Sequence, residues 1–383
     1  MPVDRIAELF HENFTSYDEL GASVSVWQDG REVVSLGEGW KDRQKEQPWT
    51  PQTMVLFWSA TKGLSAACLL HACQEHGVEL TTPVSALWSE FGQAGKEQVT
   101  IAEVLSHRAG LAALAAPAEA LDHDAVAAAL AATAPNWPLG GDTHGYHPRT
   151  FGFLVDEILR RITLGRTLRE YWRTEFGEPL GLDVWIGLPE ELVREPASIF
   201  PAKASLPKGD PFYTAFMTPS SLTARSFISP RGMHSVAAMN APEARMASLG
   251  AFGGVGTAQG LAKFYAMLAM GGSLEGRQYF DPATLDWMTT TLTQGPDQVL
   301  LLETAFSAGF MRDPVDEEGR KKRTNFGPSV KAFGHPGAGG SHAFGDPEHR
   351  ISFAYVMNQM EPGVLPGPKS LRMVDAVYRD LVH

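Results

Sequence analysis

The sequence predicts an α+β protein: one antiparallel sheet built from both ends of the chain and flanked by helices, plus an inserted, mostly helical domain. Two strand-like runs, residues 22–28 and 31–38, meet at Asp29-Gly30, a dipeptide that favours a tight hairpin turn. Strand patterns then fade and return only after residue 300. The stretch between carries helical periodicity followed by a proline-rich irregular part. This reading assigns residues 1–75 and 250–383 to the sheet domain and residues 76–249 to the inserted domain.

Residues 3–14 mix apolar and charged positions at helical spacing, and the hairpin follows. Residues 53–58 are an apolar approach to a second helix, where Leu64, Ala67, Cys68, Leu70, Ala72 and Cys73 mark a buried face. Thr100-Ile101-Ala102-Glu103 is a capping box, in which the hydroxyl and the carboxylate each satisfy an orphan amide, and it opens a helix to about Ser106. Residues 124–133, 151–162 and 168–176 are helical, with Gly165 after the second. From 179 to 252 many prolines interrupt any period. Thr257 caps a helix over 258–270 that Gly271-Gly272 stops, and Asp281-Pro282 opens another. Strands are expected at 300–310, 330–334, 341–345 and 351–358, with Asp346-Pro347-Glu348 turning between the last two. An amphipathic helix over 371–381 closes the chain.

The 383 residues are enough for a large core. With 32 basic against 44 acidic residues, the net charge of −12 argues against nucleic acid or an anionic membrane as partner. The basic run 320–323 follows the acidic run 316–318 after Gly319, as in a charged turn between two strands. Cys68 and Cys73 are the only cysteines, and five positions apart on one helix they do not bridge. The first 18 residues lack the uninterrupted apolar core of a signal peptide, and no stretch has the length of a membrane span. The expectation is a cytoplasmic protein.

Ser59-Ala60-Thr61-Lys62 carries the first chemical signal. A serine hydroxyl is a weak nucleophile until a neighbour takes its proton, and residues three apart on a helix lie side by side. A helix start also favours developing negative charge. Roughly one Ser-x-x-Lys is expected by chance in such a chain, so the motif needs company. Its second copy, Ser205-Leu206-Pro207-Lys208, has a proline that breaks the helix, and it reads as loop.

Two further segments add to it. His144-Gly145-Tyr146-His147-Pro148 places a tyrosine in a loop just before a helix, where Tyr146 could share a proton with Ser59 and Lys62. His144 and His147 have one nearby carboxylate, Asp142, and match no metal spacing. With no His-Glu-x-x-His and no Cys-x-x-Cys in the chain, neither metal nor cofactor is expected. Phe333-Gly334-His335-Pro336-Gly337-Ala338-Gly339-Gly340-Ser341 is a glycine-rich strand connection without the lysine of a phosphate loop. Its Ala338 amide, with that of Ser59, suits an acyl oxyanion.

In this order the three segments resemble those of the serine β-lactamase/penicillin-binding protein superfamily, most closely its class C β-lactamase-related esterases, the family VIII carboxylesterases. Ser59–Lys62 matches Ser-x-x-Lys, Tyr146 the tyrosine of the Tyr-x-Asn element, and His335-Pro336-Gly337 the Lys-Thr-Gly element. Leu105-Ser106-His107-Arg108-Ala109-Gly110-Leu111 and Gly253-Gly254-Val255-Gly256-Thr257-Ala258 support it, and the likeness spans about residues 22–358. It implies a β-lactamase/transpeptidase-like fold. It also implies a serine hydrolase forming an acyl-enzyme on Ser59, with Lys62 and Tyr146 sharing acid–base work. Pro148 replaces the asparagine and His335 the lysine, which weakens the case for β-lactam turnover and fits an ester substrate. There is no Gly-x-Ser-x-Gly elbow.

The expected function is therefore cleavage of small-molecule carboxylic esters. The amides of Ser59 and Ala338 would form the oxyanion hole. His335 and Gly337 are expected at the substrate, and Phe212, Tyr213 and Phe216 are expected to line an apolar pocket, while Trp58 reads as core. The rival readings are a β-lactamase or D-alanyl-D-alanine peptidase, an acyltransferase to an alcohol, and a non-catalytic binding protein of the same fold. Oligomeric state is left open.

Overall fold

A computed structural model describes residues 4–203 and 209–382. Its centre is an eight-stranded antiparallel sheet in the order Arg31–Gly39, Gly21–Gln28, Ile351–Met357, His342–Asp346, Phe333–Pro336, Met311–Arg312, Glu303–Phe306, Thr293–Pro296. The N-terminal hairpin thus joins strands from the far end of the sequence, with Ala22 opposite Met357 and Gln28 opposite Ile351. Asp29 and Gly30 both have positive φ, +51° and +73°, which matches the turn to the right-handed twist of the paired strands.

Helices cover both faces. Asp4–Ser16 and Pro368–Leu381 pack together on one side, where Ile6, Phe10, Met373, Val374 and Val377 meet Ala22, Val24 and Val26 at the two-residue strand period. Each such fully buried Val, Ile or Phe contributes about 1.5–3 kcal/mol. Ala258–Ala269 crosses the other side, against the strands Gly21–Gln28, His342–Asp346 and Ile351–Met357. Beyond it lies Thr61–His76, buried over most of its length and packed on Thr150–Ile162. This is the β-lactamase/transpeptidase-like architecture that the sequence leads one to expect, with the mostly helical part inserted between the two sheet-forming ends.

A second, three-stranded sheet sets the position of the segment that carries Ser59. Val55–Leu56 pairs with Gly254–Gly256, which pairs with Val184–Ile186. A Cβ on Gly254 would lie 2.3 Å from the Phe57 ring, so only glycine lets these segments meet.

Some strands differ from expectation. Of 300–310 only Glu303–Phe306 is extended, because the Asp297 carboxylate accepts the amides of Val299 and Leu300 at 2.8 Å and folds that stretch into a turn. The strand expected at 330–334 begins at Phe333, since Ser329 holds a turn through the amides of Lys331 and Ala332. Thr293–Pro296 is a strand whose glycine and proline hid it. The basic run forms a charged loop: Arg320 pairs with Asp316 and Glu318, Lys321 with buried Asp313, and Lys322 with Glu303. Cys68 and Cys73 are free thiols, both buried. Among the described residues no helix is long and apolar enough to cross a membrane. The second Ser-x-x-Lys copy lies outside the described residues.

Candidate active site

The apolar run before Ser59 is a strand because it pairs with Gly254–Gly256, and Phe57 donates its amide to Gly254 O at 3.1 Å. Trp58 then adopts a left-handed φ of +46°, a conformation that costs a bulky residue about 1–3 kcal/mol. This bend carries Ser59 into a single turn, Trp58–Ala60, directly before the helix Thr61–His76. Thr61 locks the bend by donating its hydroxyl to Trp58 O at 2.5 Å and accepting the Gly254 amide at 2.8 Å. Trp58, expected in the core, packs against it only in part and also faces a cavity.

One helical turn on, Lys62 is completely buried. Its Nζ lies 3.4 Å from Ser59 Oγ and donates to Pro148 O and Ala251 O, each at 2.8 Å. Burial, aided by the positive charge of Arg149, holds its pKa well below the ordinary lysine value. Tyr146 sits above it, with Nζ 4.7 Å from the ring centroid. Interaction with Ser59 lowers the phenol pKa, but the larger effect of burial pushes it up. Burial thus disfavours the charged form of each group, the ammonium of Lys62 and the phenolate of Tyr146.

Tyr146 is held on all sides. Its ring stacks on Phe306 at 6.1 Å and lies 5.0 Å from His107 and 5.8 Å from His335, centroid to centroid. Its amide points at both carboxylate oxygens of Asp297, 3.0 Å from each. His144 and His147 are spent on structure. His144 Nε2 meets Thr304 Oγ1 at 2.8 Å, while His147 accepts the Leu111 amide and hydrogen-bonds Gly145 O.

The glycine-rich segment completes the arrangement. A Cβ on Gly337 would stand 2.1 Å from Phe57 O, so its bare Cα lets this strand end press against the segment bearing Ser59. Ala338 follows in the cavity wall, and its amide has no backbone acceptor among the described residues. His335 and Gly337, expected at the substrate, stand back from the cavity. His335 is buried behind Tyr146, with Nδ1 2.7 Å from Pro336 O and Nε2 unpartnered. Burial pushes its pKa down to about 3, so it is neutral.

Ser59 opens into a mostly apolar cavity of about 290 Å³. Phe212, Tyr213 and Phe216 line it as expected, together with Phe227, Phe252 and Met360. Two charged groups also reach its wall, Arg149 and Glu361. Sequence reasoning missed both, and missed Asp297; a lone Asp, Glu or Arg in a loop carries no pattern.

This geometry has relatives. The pattern of the beta-lactamase family matches residues 6–377. The chain belongs to the beta-lactamase family. Within that family it is similar to the esterase/beta-lactamase LipL of Mycobacterium tuberculosis, 32% identical over 352 residues that cover 89% of this chain and 77% of LipL. Among solved structures it is similar to a penicillin-binding protein homologue from Caulobacter crescentus, with 36% identity, a TM-score of 0.89, and 99% and 98% of the two chains covered. A family VIII carboxylesterase is also similar, at 30% identity and a TM-score of 0.88, with 99% and 98% covered. This beta-lactamase-family protein is a serine hydrolase by fold and kinship.

Proposed function

We propose that the protein is a serine carboxylesterase working through an acyl-enzyme on Ser59. The observation that carries this is the bonding of the Lys62 amine. A neutral amine has two hydrogens and one lone pair. The Lys62 amine donates to Pro148 O and Ala251 O and turns its third position toward Ser59 Oγ, 3.4 Å away; in the neutral form, which burial favours, that third position is a lone pair aimed at the hydroxyl. On this reading Lys62 is the resting base.

Ser59 Oγ attacks the ester carbon as its proton passes to Lys62. The amides of Ser59 and Ala338 hold the oxyanion. The Tyr146 phenol, protonated at rest, gives its proton to the departing alkoxide and regains one from Lys62. Water then attacks the acyl carbon, releasing the carboxylic acid and restoring Ser59. Phe212, Tyr213 and Phe216 receive an apolar part of the ester.

Two features favour esters over β-lactams. Neutral His335 presents no positive charge to a substrate carboxylate, and Pro148 has no side-chain amide with which to hold a substrate amide. LipL is described as both esterase and beta-lactamase, so the comparison is best made directly. A panel of p-nitrophenyl esters run beside nitrocefin should show faster ester turnover; faster nitrocefin turnover would reverse the assignment. Lys62→Ala and Tyr146→Phe should each lower the ester rate roughly 10²–10⁴-fold.

A further inference from the structure

The two carbonyls that hold Lys62 belong to Pro148 and Ala251, and the residues that follow them, Arg149 and Phe252, are stacked on each other. The Arg149 guanidinium lies 4.3 Å over the Phe252 ring. It is buried and donates to three carbonyls of one loop: Pro230 at 3.2 Å, Met233 at 2.8 Å, and Gly232. No carboxylate pairs with it among the described residues. A buried guanidinium without a counter-ion is costly, and three neutral acceptors satisfy its hydrogens without cancelling its charge.

We propose that Arg149 is a positioning residue for Lys62: stacked on Phe252, it clamps the two carbonyls that hold the amine and supplies a fixed positive charge that disfavours a second one beside it. The proposal rests on Lys62 being the resting base. The other groups around the amine are the Tyr146 phenol and the imidazoles of His107, His147 and His335, all uncharged when buried. Asp297 is engaged with the Tyr146 backbone, its oxygens accepting that residue's amide. Among the described residues Arg149 is thus a fixed charge that acts on Lys62, and its effect agrees in direction with that of burial.

The test is the acid limb of the kcat/KM–pH profile for a neutral p-nitrophenyl ester, which reports loss of the free base. Arg149→Met removes the charge and keeps the stem. Its limb should move to higher pH by about one unit, roughly a tenfold loss of rate at a pH below both limbs. Arg149→Lys keeps the charge and loses the fork, so its limb should stay in place even where kcat falls. If Arg149→Met does not fold, Arg149→Gln reads the same limb. A neutral variant that folds with its limb unmoved overturns the proposal, and so does a lysine variant whose limb moves as far. A loss confined to KM for carboxylate-bearing esters, with the limb unmoved, also overturns it and makes Arg149 a substrate contact. Failure of the functional reading looks different: Lys62→Ala would then leave the rate near wild type.

Discussion

Both carboxylate oxygens of Asp297 accept the backbone amide of Tyr146, at 3.0 Å each, across 151 residues of sequence. The same carboxylate takes the amides of Val299 and Leu300 and the Thr304 hydroxyl, so one buried side chain pins the tyrosine loop to the edge of the sheet. Hydrogen bonds to a charged acceptor contribute about 1.5–3 kcal/mol each. Asp297→Asn turns one acceptor oxygen into a donor facing amides. It should lower the melting temperature and cut kcat roughly tenfold through a displaced phenol. Unchanged kcat in a stable variant would show that Tyr146 needs no such anchor.

The contact between Gly337 and Phe57 makes a steric prediction. Gly337→Ala places a methyl 2.1 Å from Phe57 O, and backbone on both sides leaves nothing flexible to yield. The strand end must move away from Ser59, taking the Ala338 amide with it. Loss of one oxyanion donor costs roughly 10²–10³ in kcat. Circular dichroism should show a folded protein with the rate lowered by that order. A rate near wild type would remove the Ala338 amide from the account.

The apolar wall should set chain-length preference. The buried Phe212 ring packs 5.2 Å from Tyr213, 5.8 Å from Phe216 and 5.7 Å from Phe227. Phe212→Ala should reduce kcat/KM for longer acyl chains relative to acetate by roughly tenfold, within the range of one lost apolar contact. An equal loss for every chain length would place the acyl group elsewhere.

Acid stability follows from three histidines. Burial pushes the pKa values of His147, His335 and His342 down to about 3, against 6.5 when exposed. Between those values the unfolded chain binds more protons than the folded one, so stability is full above about 6.5 and falls as pH drops toward 3. Each such proton is worth about 1.4 kcal/mol per pH unit. Urea unfolding at pH 7, 6 and 5 should show this decline above the ordinary carboxylate range, and His342→Gln should reduce its slope. Stability that is flat over that interval would contradict the burial of these rings as neutral groups.

What the chain discloses about itself depends on how local the cause is. Ser59 and Lys62 were legible because a helical turn alone brings them together. The hairpin at Asp29-Gly30 and the caps at Thr100 and Thr257 were legible because each is settled within four residues. Tyr146 and Ala338 came from motif order, since nothing near them in sequence points to Ser59. Asp297, Arg149 and Glu361 act only through partners far along the chain. The strand Thr293–Pro296 escaped because edge strands tolerate the glycine and proline that argue against a central one. His335 and Gly337 shared the fate of motif-based assignments: both lie beside the site, but the cavity wall at that point is Ala338.

The most direct test is intact-protein mass spectrometry after brief exposure to a p-nitrophenyl ester or a fluorophosphonate probe, followed by peptide mapping. One adduct per chain, located on Ser59 and lost in Ser59→Ala, is the expected result. An unlabelled wild-type protein that still hydrolyses the ester, or an adduct on another residue, would contradict the account.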